Sequence, residues 1–372
     1  LSGSAVTITG PVTLGSDVSI STDSDDIVFA GPTTTINGSQ ELTLTAGTGD
    51  VFIGGVVGGI VPLSGISISG DDLTLPGITT VGDLNQSFTA LSDITLSQSR
   101  TLNAPVAFTA DANGDGDGAF VLLDGVSLTA SNNTLDIQAA DLDLQGSSTL
   151  ATGSGLMTLT ATNAGNIALG GPDAPGQMTI SGSELARIST SGGLTLSTNG
   201  TGWIRAQGIT AAQSQNVNGT LTFDAQGSGD VDFFVTESEF NAISASSASG
   251  IINVGVDLTT SNDQIEFLTP VAVAGASTIT SGGGDISFAS TLDVDNDLTI
   301  STGNGALTFS DEVGSNQTLT LNLGGGSVAG LGQLQTALTG LTVNSTSGIT
   351  LPAFTISGPQ IYNTGPITIT GD

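Results

Sequence analysis

The chain is built from short triplets in which a polar residue separates two apolar ones, and Gly, Asn or Asp residues recur between the triplets. Early triplets recur every six residues, at Val6–Ile8, Val12–Leu14 and Val18–Ile20. Alternation of apolar and polar side chains predicts β-strands that bury one face. Strands this short do not make a freestanding sheet, but they are stable where similar coils stack and pair each strand on both sides.

Longer similarities run through the whole chain. Leu63–Ile78 reads LSGISISGDDLTLPGI, and Leu338–Phe354 repeats its pattern as LTGLTVNSTSGITLPAF. Self-similarity on this scale is typical of solenoids. The sequence therefore predicts an all-β protein, a parallel β-solenoid with about 17–18 coils of roughly 21 residues each. No Pro-rich or charged linker interrupts the pattern, so residues 1–372 are predicted to form a single continuous solenoid domain.

The two ends of the chain resemble each other. Val6–Gly10 reads VTITG and Ile367–Asp372 reads ITITGD, and neither end carries an amphipathic helix that would cap a solenoid. Open coil ends expose unpaired backbone and apolar side chains. We therefore expect this unit to stack end to end, as a segment of a longer tandem protein or as the subunit of a fibre.

Composition narrows the possible functions. Arg and Lys together number 3 against 34 acids, and His and Cys are absent, which gives a net charge of -31. Without Cys there are no disulfides, and without His the usual general base is missing. Strong negative charge excludes ordinary nucleic-acid binding. No stretch of about 20 apolar residues is present for membrane insertion. We predict a protein that is not an enzyme.

The acidity is mostly aspartate, which accounts for 28 of the 34 acids. Asp favours turns, whereas Glu favours helices. The carboxylates are therefore expected at strand ends, where they would keep a long solenoid soluble. We expect such an acidic surface to bind cations, above all Ca²⁺.

One local motif is a candidate Ca²⁺ site. The sequence DANGDGDG places oxygen ligands at alternate positions, namely Asp111, Asn113, Asp115 and Asp117. This spacing resembles the first half of an EF-hand loop, and we predict these four residues as metal ligands. Leu122 stands where the bidentate Glu of a complete loop would be. A polar turn between strands is the alternative, because Asp and Gly are ordinary turn residues.

Other motifs keep two alternative functions open. Asp293, Asp295 and Asp297 alternate along one predicted strand. Glycoside hydrolysis is catalysed by pairs of carboxylates, so one alternative function is a polysaccharide-binding or polysaccharide-degrading β-helix. The same aspartates could instead simply form a solvated outer face. Thr-x-Thr motifs occur at 7–9 and 368–370, among other places, and they suggest a second alternative function, an ice-binding solenoid. Thr is also an ordinary residue of exposed strands.

The single Trp is a further candidate for ligand contact. Trp203 stands two residues before Arg205, one of the three cations of the chain. Its ring could stack on a sugar or fill the edge of a coil. Both roles remain open from the sequence.

Two segments carry a resemblance to a known family. Gly49–Ile68 (GDVFIGGVVGGIVPLSGISI) and Gly305–Ser315 (GALTFSDEVGS) resemble repeats of large bacterial surface proteins of the filamentous-haemagglutinin and autotransporter-passenger type. The resemblance implies a right-handed parallel β-helix, secretion to the cell surface, and an adhesive or scaffold role. We therefore expect an extracellular structural or adhesive rod, whose partners are further copies of itself, glycans or cell-surface receptors.

Overall fold

A computed structural model of the chain describes residues 2–83, 86–172, 176–261, 263–314 and 316–370. It is almost all β, with 4% helix, and its parallel strands stack as a β-solenoid of about 16 turns of roughly 22 residues. The predicted fold class is confirmed. Ser315, Gly371 and Asp372, which end two of the sequence motifs, lie outside the described residues.

The coils are fewer than predicted because they differ in length. A hydrogen bond between successive coils joins residues 21 apart at Asp285 and Ala306. The corresponding bond joins residues 37 apart at Asn166 and Trp203. The longer coil contains an insertion with the short helix α1, Gly182–Leu185. The same stretch also contains the additional strand Gln177–Ile180.

By internal contacts the chain divides into two units. Unit 1 comprises Leu1–Gly165, Ala174–Thr179 and Arg187–Leu194. Unit 2 comprises Asn166–Asp173, Ile180–Ala186 and Thr195–Asp372. The single continuous domain stays a prediction.

In unit 1, parallel strands stack into three main sheets and one strand pair. Sheet 1 comprises Ser2–Gly3, Val18–Thr22, Glu41–Thr45, Gly65–Gly70, Gln86–Ala90, Val106–Thr109, Leu135–Ala139 and Met157–Ala161. Sheet 2 comprises Val6–Ile8, Ile27–Phe29, Val51–Ile53, Leu73–Leu75, Ile94–Leu96, Ala119–Leu122 and Asp141–Leu144. Sheet 3 comprises Arg100–Thr101, Ser127–Thr129, Thr149–Gly153 and Ile188–Thr190, and the pair is Val12–Thr13 with Ile36–Asn37.

Unit 2 has the same arrangement. Sheet 4 comprises Thr220–Ala225, Ala242–Ser247, Ile265–Phe267, Ile286–Phe288, Leu307–Phe309 and Val328–Ala329. Sheet 5 comprises Asn166–Leu169, Ile204–Ala206, Val231–Phe233, Ile252–Val254, Val271–Val273, Leu292–Asp293 and Val313–Gly314. Sheet 6 comprises Ser238–Phe240, Leu258–Thr260, Ser277–Thr280, Leu298–Ser301, Thr318–Gly324, Gly340–Ser345 and Gln360–Asn363, and a further pair is Ile349–Leu351 with Ile367–Ile369.

The remaining elements are few. Two strands, Gln177–Ile180 and Leu194–Thr198, each contain a boundary between the units. Helix α2 spans Ala211–Ser214, and 3-10 turns span Val81–Asp83 and Leu331–Gln333. Among the described residues no helix is long and apolar enough to cross a membrane.

The interior of each coil is aliphatic, and it contains stacks of phenylalanine. In unit 2, Phe288 pairs in register with Phe267 and Phe309, and its ring centroid lies 5.1 and 5.5 Å from theirs. In unit 1, the Phe88 and Phe108 rings are stacked at 5.1 Å. Because parallel pairing in register places equivalent residues above one another, an apolar position in one coil packs on the same position in the next.

Candidate functional site: the acidic corners and the aromatic patch

Four aspartates occupy the same corner of successive coils in unit 1, immediately before strands of sheet 2. Asp26 Oδ1 accepts a hydrogen bond from the Asp50 N–H at 3.0 Å, and Asp50 Oδ1 accepts one from the Asp72 N–H at 3.2 Å. Asp72 Oδ1 accepts from the Asp93 N–H at 2.9 Å, and Asp93 Oδ1 from the Ala119 N–H at 2.7 Å. We call Asp26, Asp50, Asp72 and Asp93 the corner ladder. Each carboxylate satisfies a backbone donor of the following coil.

The same bond occurs in unit 2. Asp285 Oδ1 accepts from the Ala306 N–H at 2.7 Å. Asp297 Oδ1 accepts both from the Thr318 N–H at 3.1 Å and from its hydroxyl at 2.6 Å. Equivalent bonds to the following coil are accepted by Asp230, Asp257 and Asn304. The aspartates expected at strand ends therefore join successive coils.

The environment of these carboxylates changes their pKa values in opposite directions. Burial raises the pKa of Asp93 above its ordinary 3.8, the Ala119 N–H opposes this rise, and nearby Asp72, Asp117 and Asp143 add to it. The hydroxyl and backbone N–H of Thr318 instead lower the pKa of Asp297. Burial, with added repulsion from neighbouring aspartates, thus disfavours the charged form of Asp93, whereas the hydrogen bonds from Thr318 favour the charged form of Asp297.

The four predicted calcium ligands lie in one loop of unit 1, between strands of sheets 1 and 2. Asp111 is only 2% exposed and has a left-handed backbone, with φ 52°. Its carboxylate accepts hydrogen bonds from the Asp115 N–H at 3.0 Å, from the Gly116 N–H at 3.2 Å and from the Thr162 hydroxyl. Asn113 Oδ1 accepts from the Asp115 N–H at 3.2 Å.

Within the loop, the carboxylates therefore mainly accept hydrogen bonds from backbone N–H groups. Asp115 Oδ1 also accepts from the Asp117 N–H at 3.0 Å, while Asn113, Asp115 and Asp117 are exposed. Over the residues that the structure describes, no group of three or more His, Cys, Asp or Glu side chains is placed to hold a metal ion. Calcium binding at Asp111, Asn113, Asp115 and Asp117 stays a prediction.

The register aligns hydroxyl side chains that look irregularly spaced in the sequence. On the outer side of sheet 1, one column consists of Ser19, Thr43, Ser67 and Ser87. The neighbouring column consists of Ser21, Thr45, Ser69, Thr89 and Thr109. Ala107 then interrupts the first column, and Gln138 interrupts the second. The hydroxyl array is therefore ordered over part of unit 1 only.

The three arginines have different environments. Arg100 is 4% exposed, and its guanidinium carbon lies 4.9 Å from the Phe88 ring centroid and 5.9 Å from that of Phe108. Arg187 donates to the backbone carbonyl of Leu144. Arg205 is half-buried on the outer side of sheet 5. Sequence spacing gave no indication that an arginine would lie against the phenylalanine stack of unit 1.

Around Arg205 the structure assembles an aromatic and polar cluster from three coils of unit 2. The guanidinium carbon lies 4.4 Å from the Trp203 ring centroid and 5.5 Å from that of Phe234. Arg205 Nη2 donates to Asp232 Oδ2 at 2.8 Å, and Asn253 Nδ2 donates to Asp232 Oδ1 at 2.8 Å. We call Trp203, Arg205, Asp232, Phe234 and Asn253 the aromatic patch.

Sequence reasoning found only part of this patch. Trp203 and Arg205 are neighbours in the chain, but Asp232 lies 27 residues after Arg205, and Asn253 a further 21 residues on. Those separations equal one coil each. The first of these coils is longer than the usual 21 residues because it contains helix α2, Ala211–Ser214, so a fixed period does not align Arg205 with Asp232.

Comparison with known proteins gives no family model, no curated protein and no solved structure that matches the chain. The parallel β-solenoid agrees with the β-helical repeats that the sequence resembles.

Proposed function

We propose that the protein is an extracellular structural and adhesive solenoid, of the filamentous-haemagglutinin or autotransporter-passenger type, that stacks end to end with further repeats or copies. The observation that carries this proposal is the corner ladder. Asp26, Asp50, Asp72 and Asp93, which could otherwise serve chemistry, hold one coil to the next. A side-chain bond that repeats along the stacking direction supports a mechanical role.

Two strands near the C-terminal end of unit 2 support stacking. These strands are Gln360–Asn363 and Ile367–Ile369. The exposed fraction of the side chain is 48% for Ile361, 45% for Ile367 and 77% for Ile369. In the preceding coil, Ile349 and Leu351, which pair with Ile367 and Ile369, are at most 9% exposed. A further coil placed on these strands would pair their backbone and bury their apolar side chains.

A column of asparagines gives the stacking a direction. Asn344 Nδ2 donates to Asn322 Oδ1 at 2.8 Å, and Asn363 Nδ2 donates to Asn344 Oδ1 at 2.8 Å. Each amide donates to the preceding coil and offers its oxygen to the following one. A donor on an added coil would extend this column at Asn363.

The same proposal assigns no reaction to the exposed acids. Asp293, Asp295 and Asp297 are all exposed, and Asp297 bonds to Thr318 of the next coil. Incubation with neutral and acidic polysaccharides tests this part of the proposal. We expect no new reducing ends, and measurable release of reducing sugar would contradict the non-catalytic role.

Electron microscopy of concentrated protein tests the stacking. We expect unbranched fibres of uniform width, because successive solenoids would continue the sheets. Single particles at every concentration would contradict the proposal. Attachment of protein-coated beads to cell surfaces, compared with uncoated beads, tests the adhesive part separately.

A further inference from the structure

The aromatic patch lies on the outer side of sheet 5 in unit 2. We propose that it binds an uncharged saccharide chain; this inference rests on the adhesive function proposed above and names its ligand class. Phe234 is 50% exposed and the neighbouring Val235 62% exposed. Large apolar side chains this open, next to fixed polar groups, are typical of binding surfaces.

The patch is rigid before any ligand arrives. Arg205 contacts both rings, at 4.4 Å from the Trp203 centroid and 5.5 Å from the Phe234 centroid. Asp232 holds the guanidinium through Nε at 3.3 Å and Nη2 at 2.8 Å, and Asn253 holds the other carboxylate oxygen. Side chains that are ordered in advance lose little conformational entropy on binding.

The backbone beside the patch is strained. Val235 has φ 67°, and the Thr236 N–H donates to the Phe234 carbonyl at 2.8 Å. This bond closes a three-residue turn around a β-branched residue in the left-handed region, which is an unfavourable conformation. Such strain is concentrated at ligand-binding sites. Here it accompanies two neighbouring apolar side chains, Phe234 and Val235, that both face solvent.

The surroundings of the rings fit the two chemical faces of a sugar. Sugar rings present C–H groups that pack on aromatic faces, and hydroxyl groups that need hydrogen-bonding partners. Asp230 and Asn253 lie on the same outer side of sheet 5 as the rings, and Ile251 adds a 39% exposed apolar side chain. Gly255 lies beside the edge of the Phe234 ring, where an added Cβ would be in ordinary van der Waals contact with Cδ2 at 3.5 Å.

Charge favours a neutral ligand. The chain carries a net charge of -31, and the cation of the patch is already paired with Asp232 at 2.8 Å, so polyanions are repelled. Cationic peptides would compete with Arg205 for the ring faces. A protein partner is disfavoured because the exposed apolar side chains are interrupted by Asp230 and Asp232, whereas the core of a protein interface is depleted of charge.

Trp203 is the only tryptophan, so its fluorescence reports directly on the patch. We would titrate the whole chain with a linear β-glucan, a mannan and an α-glucan, alongside heparin and polylysine. We expect a saturable emission change with at least one neutral polysaccharide. Phe234→Ala should weaken that binding about ten-fold or more, as truncation of a central ring does. The matched control Phe52→Ala, at a 40% exposed ring of unit 1, should leave it unchanged.

Arg205→Lys provides a second test, because a lysine cannot reproduce the two-point contact with Asp232. It should also weaken saccharide binding. Absence of an emission change with all three neutral polysaccharides would overturn the inference. Equal affinities of Phe234→Ala and Phe52→Ala, or binding of polylysine or heparin alone, would do the same. Fibres that form without saccharide binding would leave the proposed stacking intact, and Phe234→Ala should still form them.

Discussion

The Oδ1 atom of Asp50 accepts a hydrogen bond from the backbone N–H of Asp72, 3.2 Å away and 22 residues later in the chain. The bond crosses from one coil to the next, at a corner where the strand ladder does not supply a partner. The aspartate at the corner is therefore part of the pairing between coils. It is also a charge placed close to other charges, which makes its two roles experimentally separable.

Substitution of Asp50 separates the hydrogen bond from the charge. Asp50→Ala removes the acceptor for the Asp72 N–H, and we expect a local loss of about 0.5–1.5 kcal/mol. Asp50→Asn keeps an oxygen acceptor and removes a charge that raises the pKa of Asp71. Amide hydrogen exchange at Asp72 should accelerate in Asp50→Ala and change little in Asp50→Asn. Similar acceleration in both would mean that charge, not the bond, holds the corner.

The raised pKa of Asp93 means that its charged carboxylate destabilises the folded state at neutral pH. The folded state binds its proton more tightly than the unfolded state, whose pKa stays near the ordinary 3.8. The unfavourable contribution is present above the raised pKa and disappears as the pH falls below 3.8. Asp93→Asn should therefore raise the melting temperature at pH 7 and have no effect near pH 3. A lower melting temperature at pH 7 would contradict this.

Asp297 should behave in the opposite way. Its pKa is lowered by the Thr318 hydroxyl and N–H, so its stabilisation is present above 3.8 and is lost as the pH falls through the lowered pKa. Asp297→Asn should lower the melting temperature at pH 7, and the difference should shrink in acid. If Asp297→Asn raised the melting temperature at pH 7, as expected for Asp93→Asn, the proposed difference between the two corners would be wrong.

The phenylalanine stack of unit 2 should dominate its stability. Phe288 is 1% exposed between Phe267 and Phe309, and Phe288→Ala should cost about 3–5 kcal/mol. Phe288→Leu should cost less because it keeps an aliphatic group in the stack. Trp203 lies in the same unit, so its fluorescence follows denaturant unfolding there. Phe52→Ala, at an exposed ring, is the control, and an equal effect of Phe52→Ala and Phe288→Ala would contradict the packing argument.

The calcium prediction has a direct test in calorimetric titration with Ca²⁺. The sequence pattern leads us to expect saturable binding that Asp115→Asn weakens, because that carboxylate is a predicted ligand. Asp285→Asn, at a corner of unit 2, is the control. No heat of binding with the unsubstituted chain would make the prediction wrong and leave the loop as a turn held by Asp111.

The solenoid could be predicted from sequence because its signal is local. Alternation within triplets such as Val18–Ile20 sets which side chains face inward, and this alternation does not depend on the length of the turns between strands. The number of coils was overestimated because a fixed repeat of about 21 residues does not allow for coils that insertions lengthen, such as the one that contains Gly182–Leu185. The aromatic patch was only partly visible, since Arg205 and Asp232 meet only when the register between coils is known.

Stacking of the solenoid is tested most directly by sedimentation of the unsubstituted chain, Ile369→Asp and Ile60→Asp over a range of concentrations. Ile369 is 77% exposed on the last described strand, and Ile60 is 84% exposed in a turn of unit 1. We predict that mass increases with concentration for the unsubstituted chain and for Ile60→Asp, and that Ile369→Asp stays a single chain. A single-chain mass for the unsubstituted protein at every concentration would contradict end-to-end stacking.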